Sequence, residues 1–289
     1  MQLKPLDVCM GRQFPFYDPE VPRLEAFLDP DFIKYQPHRF SLAAPKENCQ
    51  RFNDNLRGWS NLIAAAQLVT FWMKNLTAPG AVPTDLSVAW EYGRAEEFST
   101  KHPPTLHPDL LYGMMRFWLA HQLFRTPIVG FVSIDVEHVE CLRFAIANLG
   151  GALAGLALPL IAEKQFRYHL HWSKPFKDLG ESAPATWGRH TMALLGYSPA
   201  GFFGPAWGRM QRMTNTWAST YIEEVLVPIT EASLAHIEGS PPVADVPRLR
   251  AALAEQRLHF TAPNAVRREP SQALPTALDN PPAAADTGA

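Results

Sequence analysis

Cysteine is scarce in this chain: Cys9, Cys49 and Cys141 are the only three in 289 residues. No two of them stand in a C-x-x-C or other metal-type spacing, and the odd count leaves no fully paired disulfide framework. An excess of one charge is also missing. Twenty-six Lys and Arg against 28 Asp and Glu leave a net charge of −2, which gives no electrostatic reason to expect nucleic acid as the main partner. The longest apolar stretch, LGGALAGLALPLIA, is too short and too interrupted by glycine to span a bilayer. The opening MQLKPLDVCMGRQFPF has no apolar run of the kind a secretory signal needs, and no internal repeat is visible. These absences lead to the expectation of a soluble protein of a reducing compartment, with no nucleic-acid or membrane partner and no metal or other cofactor.

What the chain does have is apolar residues and proline. Hydrophobic residues make up 47% and charged residues 19%, enough to bury a sizeable core and too apolar for global disorder. The 27 prolines are nearly twice the ordinary share of about 5%. They gather in connecting segments and near the C-terminal end, so the core is expected to be joined by long ordered loops.

Residues 1–50 are rich in proline and aromatics with little periodicity, and read as an extended arm with one short helix at Val21–Leu28. The first strong helix is SNLIAAAQLVTFWMKN, Ser60–Asn75. Its apolar residues, among them Ile63, Ala64, Ala66, Phe71 and Trp72, surround it almost completely, which predicts a buried central helix. Thr84–Phe98 opens on a Thr-Asp cap and reads as a second helix; His107–Leu123, with Pro108 in the first turn, reads as a third. The texture then changes. Ile128–Asp135 reads as a strand, DVEHVECLRFAIANLGG as a helix closed by Gly150 and Gly151, and ALAGLALPL and HTMALLGY as further strands. Cys141 falls on the apolar face of that helix as a small core residue. The stretch GFFGPAWGRMQRMTNTWASTYIEEVLVPITE reads as a strand followed by a helix, with Arg209 and Arg212 on the outer face of that helix. A last helix is expected over Asp245–His259. Helices early and strands late indicate an α+β fold, divided into an arm (1–50), a domain (51–238) and a Pro/Ala-rich C-terminal tail with one short helix (239–289).

One short stretch raises a functional question. In Trp187-Gly188-Arg189-His190 a proline-bearing loop runs into a strand aimed at the core. A histidine there is either a packed ring or the base of a nucleophile–histidine pair. The matching segments elsewhere are NDNLRGWSNLIAAA (Asn53–Ala66), Val132–Pro159, GRHTMALLGY (Gly188–Tyr197) and AWGRMQRMTNTWASTYIEE (Ala206–Glu224). In order and spacing, over about residues 50 to 230, this pattern resembles the papain-like cysteine peptidase-fold proteins, in the divergent form common in bacteriophage and bacterial genomes. The resemblance implies a papain-like fold in which a buried central helix packs on a small antiparallel sheet, with the arm and the tail as additions.

The resemblance also implies a site. In such proteins a thiolate sits at the N-terminus of the central helix, where the macrodipole and free N–H groups lower its pKa and help build an oxyanion hole. A histidine on a facing strand is its base, and an Asn or Asp orients the imidazole. His190 falls at the base position. The nucleophile position is Trp59 in one register and Ser60 in the other, and neither is cysteine; Asn53 and Asp54 fall on the oxyanion side. Cys49 lies eleven residues before Ser60. The glycine before the histidine is replaced by Arg189, a cation expected to crowd the cleft and depress the imidazole pKa. The orienting position, two before Trp207, is Pro205. For Ser60 the plain reading is a helix N-cap and the sharper one a serine nucleophile. His169 and His171 would share one strand face, with no second ligand cluster to complete a metal site.

The expectation is therefore a catalytically inactive protein of papain-like fold, a structural or interaction subunit of a bacteriophage particle (capsid decoration, neck, tail or fibre). It would reside in the virion or in host cytoplasm before assembly, and bind other protein subunits through its arm and tail. The rival is a hydrolase of peptide or amide bonds using Ser60 or Cys49 with His190.

Overall fold

The structure, a computed structural model, describes residues 10–41, 49, 52, 58–75, 80–175, 180–239 and 243–261. After two 3₁₀ turns (Leu24–Phe27 and Phe32–Tyr35), the chain forms β1 (Phe40–Ser41) and the helices α1 (Ser60–Asn75), α2 (Asp85–Thr100) and α3 (Leu111–His121). Next come β2 (Gly130–Ile134), α4 (Val139–Asn148), β3 (Ala152–Leu158) and α5 (Leu160–Arg167). The second half is built from β4 (Gly188–Leu194), β5 (Gly196–Ser198), β6 (Gly201–Ala206), β7 (Arg209–Thr214), α6 (Asn215–Tyr221), β8 (Ile222–Ile229), α7 (Glu231–Glu238) and α8 (Val246–Thr261).

The apolar surround of α1 does what it predicts: every residue from Ser60 to Trp72 is buried. The helix lies among α2, α3 and one face of the sheet, sharing a core with Leu153 of β3 and Ala193 of β4. Buried polar groups on it are matched locally. Thr70 Oγ1 donates to the Ala66 carbonyl at 2.7 Å and the Trp72 indole to the Gly150 carbonyl at 2.7 Å. Helix α2 opens with a full capping box between Thr84 and Ser87. The third helix begins later than the sequence suggests. Pro108 lies in the turn before α3, where its carbonyl accepts the Asn61 side-chain amide at 2.9 Å, tying that turn to the start of α1.

Two antiparallel four-stranded sheets carry the rest, in the orders β2-β8-β3-β4 and β1-β5-β6-β7. The main departure from the sequence reading is β8. Ile222–Ile229 is not the continuation of a helix but a strand hydrogen-bonded on one side to β2 and on the other to β3. Pro228 within it would break a helix. It is tolerated in a strand because pairing with β3 covers Ile222 to Leu226 only, so Pro228 faces β2 alone. The stretch before it also differs: Arg209 and Arg212 lie on β7, with only the short α6 between β7 and β8. A second core fills the space on the other side of the β3–β4 layer, around the fully buried Trp172 and Trp217, stacked at 4.9 Å.

Helix α8 belongs to this core through Leu249 and Leu253, and it closes the free edge of β2. Gln256 accepts the Phe131 N–H through Oε1 at 3.0 Å and donates through Nε2 to the Phe131 carbonyl at 2.8 Å. A buried side chain thus replaces the missing neighbour strand for one residue. Gln256→Leu leaves both backbone groups buried and unmatched, and is expected to destabilise the protein by about 2–4 kcal/mol. Urea unfolding measures this, and a loss under about 0.5 kcal/mol would show that water reaches the edge.

Candidate functional site in the cleft

The start of α1 approaches β4, the strand that carries His190. Side chains alternate across a strand, and here the alternation separates two neighbours. Thr191 faces α1, its hydroxyl donating to Asn61 Oδ1 at 2.5 Å. His190 faces the opposite side, opposite Leu156 of β3 and stacked on the Trp207 indole at 4.4 Å. Trp207 reaches it because Trp207 and Gly208 form the two-residue turn between β6 and β7, both at positive φ (43° and 87°). A tryptophan in the left-handed region is strained. The packing of its ring against Phe166, Trp187 and His190 holds it there.

His190 is 2% exposed. Burial first, and the Arg12 guanidinium second, push its imidazole down to about 3. The sequence named Arg189 as the perturbing cation, and the structure assigns that effect to Arg12. Arg189 instead donates to Glu223 through Nε (3.0 Å) and Nη2 (3.1 Å) and lies over the Phe14 ring.

The other candidates separate. Ser60 is the first residue of α1 rather than its N-cap, since the Trp59 carbonyl already accepts the Ile63 N–H at 3.0 Å. The Ser60 side chain is buried, and its Oγ makes no hydrogen bond among the described residues. Trp59 turns its ring to α2, stacked on Tyr92 at 4.6 Å. Cys49 is a buried thiol whose pKa burial raises, the reverse of what a nucleophile needs. Cys141 is buried on α4, its thiol pushed up to about 12 by burial. Asn53 and Asp54 lie outside the described residues. Pro205 sits in β6, paired with Met210, and brings no polar side chain. His169 and His171 are not on a strand but in the turn after α5, and no group of three or more potential ligands comes together among the described residues.

What fills the cleft is the chain's own N-terminal segment, which sequence reasoning treated only as an arm. Met10 packs on Gly188, where an added Cβ would come within 2.6 Å of its side chain. Gly11 lies directly on Gly58 before α1; a Cβ on Gly11 would fall 1.5 Å from the Gly58 oxygen. Gln13 donates its N–H to the Asp109 carbonyl at 2.9 Å, and Tyr17 its hydroxyl to the Glu223 carbonyl. Between them the Arg12 side chain is wholly enclosed. It donates to Glu224 Oε1 through Nε (3.1 Å) and Nη2 (2.5 Å), and to Glu223 Oε2 through Nη1 (2.8 Å).

Three local features make this socket. Gly155 of β3, opposite Glu224, lacks the Cβ that would lie 2.4 Å from the Arg12 guanidinium carbon. A bulge steps β3 from Gly155 to Leu156 while β8 steps from Glu224 to Ile222, so Glu223 is an extra residue and two successive carboxylates reach one cation. Arg189 then balances Glu223. Burial would lift Glu223, but hydrogen bonds from Arg189 and Arg12 outweigh it and hold it below the usual carboxylate range. For Glu224 burial wins, and its pKa is raised although Arg12 and its hydrogen bonds act the other way. The only sequence signal for the socket is the Glu-Glu pair inside an apolar run.

Chemically, the cleft holds a guanidinium and blocks access. An imidazole held below its ordinary 6.5 is a weaker base than a free histidine.

Two outcomes follow from this geometry. Since the folded His190 binds its proton only near pH 3 and the unfolded one near 6.5, the unfolded state takes up more protons between these values. The stability contributed is complete above pH 6.5 and is lost as pH falls, at up to about 1.4 kcal/mol per pH unit. The stability gap between wild type and His190→Gln is expected to narrow by about 2 kcal/mol from pH 7 to pH 5, read from urea midpoints; a constant gap would mean a solvated ring. Gly11→Ala cannot keep the Gly58 contact, so trypsin is expected to cut after Arg12 at least about tenfold faster in this variant than in wild type. Equal rates would show that the segment is not held in the cleft.

No protein-family model matches the chain, and no curated protein sequence matches it. Solved structures do. It is similar to xylellain, a cysteine protease from Xylella fastidiosa, with a TM-score of 0.55 at 13% identity, covering 80% of this chain and 99% of that one. It is also similar to a recombinant stem bromelain precursor, with a TM-score of 0.46 at 11% identity over 74% of this chain and 76% of that one. At such identities it is the architecture that is shared: this chain has the papain-like fold, an α+β arrangement of a buried central helix against antiparallel sheet.

Proposed function

We propose that the protein is a catalytically inactive papain-like module that serves as a structural or interaction subunit. A fold of this kind outlives its chemistry because activity resides in a few side chains placed on it. The single observation that carries the reading is the state of the cleft: Arg12 is buried there in a carboxylate pair while the neighbouring imidazole is held neutral. Supporting it, Ser60 Oγ has no hydrogen bond among the described residues, Cys49 is a thiol kept protonated by burial, and Pro205 orients nothing. The assembly we assign is a bacteriophage particle, on the strength of the sequence resemblance, with the arm and tail as the attachment segments.

The test is labelling of the full chain with serine- and cysteine-directed electrophiles, read by intact mass and peptide mapping, with His190→Ala as control. The expected result is no adduct at Ser60 or Cys49 that depends on His190, with the circular dichroism spectrum intact. A His190-dependent adduct at either residue would establish the hydrolase instead. In purified particles the protein is expected at a fixed copy number by mass spectrometry, and its absence from them would overturn the assembly assignment.

A further inference from the structure

Away from the cleft, the second sheet carries a cavity of about 330 Å³ between β1, β5, β6 and β7, bounded at one end by the turn at His171. That volume is within the range of small-ligand sites. Its charge is one-sided. Arg39, His171 and Arg212 line it, and none of its lining residues is acidic. The side chain of none of these three makes an ion pair or hydrogen bond among the described residues; the Arg212 guanidinium lies 5.9 Å from the Phe203 ring, and its backbone carbonyl accepts hydrogen bonds from the Trp172 N–H and the Gln211 side chain. The sequence explains the imbalance: from Glu181 to Glu223 the chain has no intervening Asp or Glu, but carries Arg189, Arg209 and Arg212. Two of those arginines are committed elsewhere. Arg189 is paired with Glu223, and Arg209 donates to the Phe166 carbonyl and meets His169 Nδ1 at 2.6 Å. Arg212 is the one left facing the cavity.

Hydroxyls add donors of the right polarity. Ser198 Oγ accepts the Ala200 N–H at 3.3 Å and Thr214 Oγ1 accepts the Trp217 N–H at 3.2 Å. Each uses its oxygen as an acceptor and keeps its O–H to donate. Aromatic rings contribute part of the remaining wall: Phe40, stacked on Tyr197 at 6.4 Å, and Phe203. Two guanidinium forks and two hydroxyl donors beside flat rings fit one kind of occupant.

We propose that this cavity binds a small organic anion, an oxyanion group (phosphate monoester or carboxylate) carried on a flat ring. The anion lies between Arg39 and Arg212 and the ring along Phe40 and Phe203. The proposal is independent of the fate of the cleft, since no cleft residue lines the cavity.

Titration of the full chain with phenyl phosphate, followed by calorimetry, is expected to show saturable binding. Arg39→Gln and Arg212→Gln should each weaken it at least about tenfold, whereas Arg250→Gln, on α8, should not. Arg39 and Arg212 are exposed, so neither variant disturbs the core, and circular dichroism checks this. Benzoate should compete, and benzyl alcohol, with the ring but no anion, should not. Absence of saturable binding, affinity unchanged in both arginine variants, or inorganic phosphate binding as tightly as phenyl phosphate would each overturn the assignment.

Discussion

A guanidinium removed from water must find compensation for its lost hydration, and Arg12 finds it in two carboxylates inside the molecule. Breaking such a buried pair by removing one partner leaves an uncompensated charge, worth about 3–5 kcal/mol. Much of the cleft's form is arranged around that requirement. Gly155 leaves the space, the bulge at β8 doubles the acceptors, Arg189 neutralises the second of them, and the Gly11–Gly58 contact lets the segment come close enough for Arg12 to enter. The N-terminal segment is therefore fixed by a charge anchor in the cleft, not by apolar packing alone.

The same arrangement sets the chemistry of its neighbour. Burial of the His190 imidazole first, and the nearby Arg12 guanidinium second, disfavour its positive charge and lower its pKa. The architecture of this chain is built on the packing around α1 and the β3–β4–β8 layer. Catalysis would additionally require an ionisable nucleophile at the helix start and a solvated base. The packing is present, while the resemblance puts Trp59 in one register or Ser60 in the other at the nucleophile position, and Pro205 at the orienting one. Architecture and reactivity rest on different residues, and these can diverge.

The two faces of the β4 strand illustrate the same economy. Odd-numbered residues such as Thr191 and Ala193 face the α1 core, and even-numbered ones such as His190, Met192 and Leu194 face the tryptophan-lined core. A single strand buried on both sides joins the helical half to the sheet half. Beyond it, β5, β6 and β7 lie in a stretch free of acidic residues, which leaves the second sheet with a cationic cavity of its own.

The sequence alone determined the α+β character, the all-round burial of the central helix, most helices and strands, and the place of His190 at the start of a strand. These follow from local periodicity and turn chemistry, which depend on residues close together along the chain. It did not determine β8. An apolar run interrupted by Glu223, Glu224 and Pro228 is ambiguous by pattern, and only pairing with β2 and β3 makes it a strand. Nor did it determine the partner of the buried charge. Arg12 and Glu224 are 212 residues apart, and no local signal links positions so distant. That contact exists because folding carries the N-terminal segment past Gly58 and over Gly155, so tertiary structure decided what occupies the cleft and which cation lies near the buried histidine.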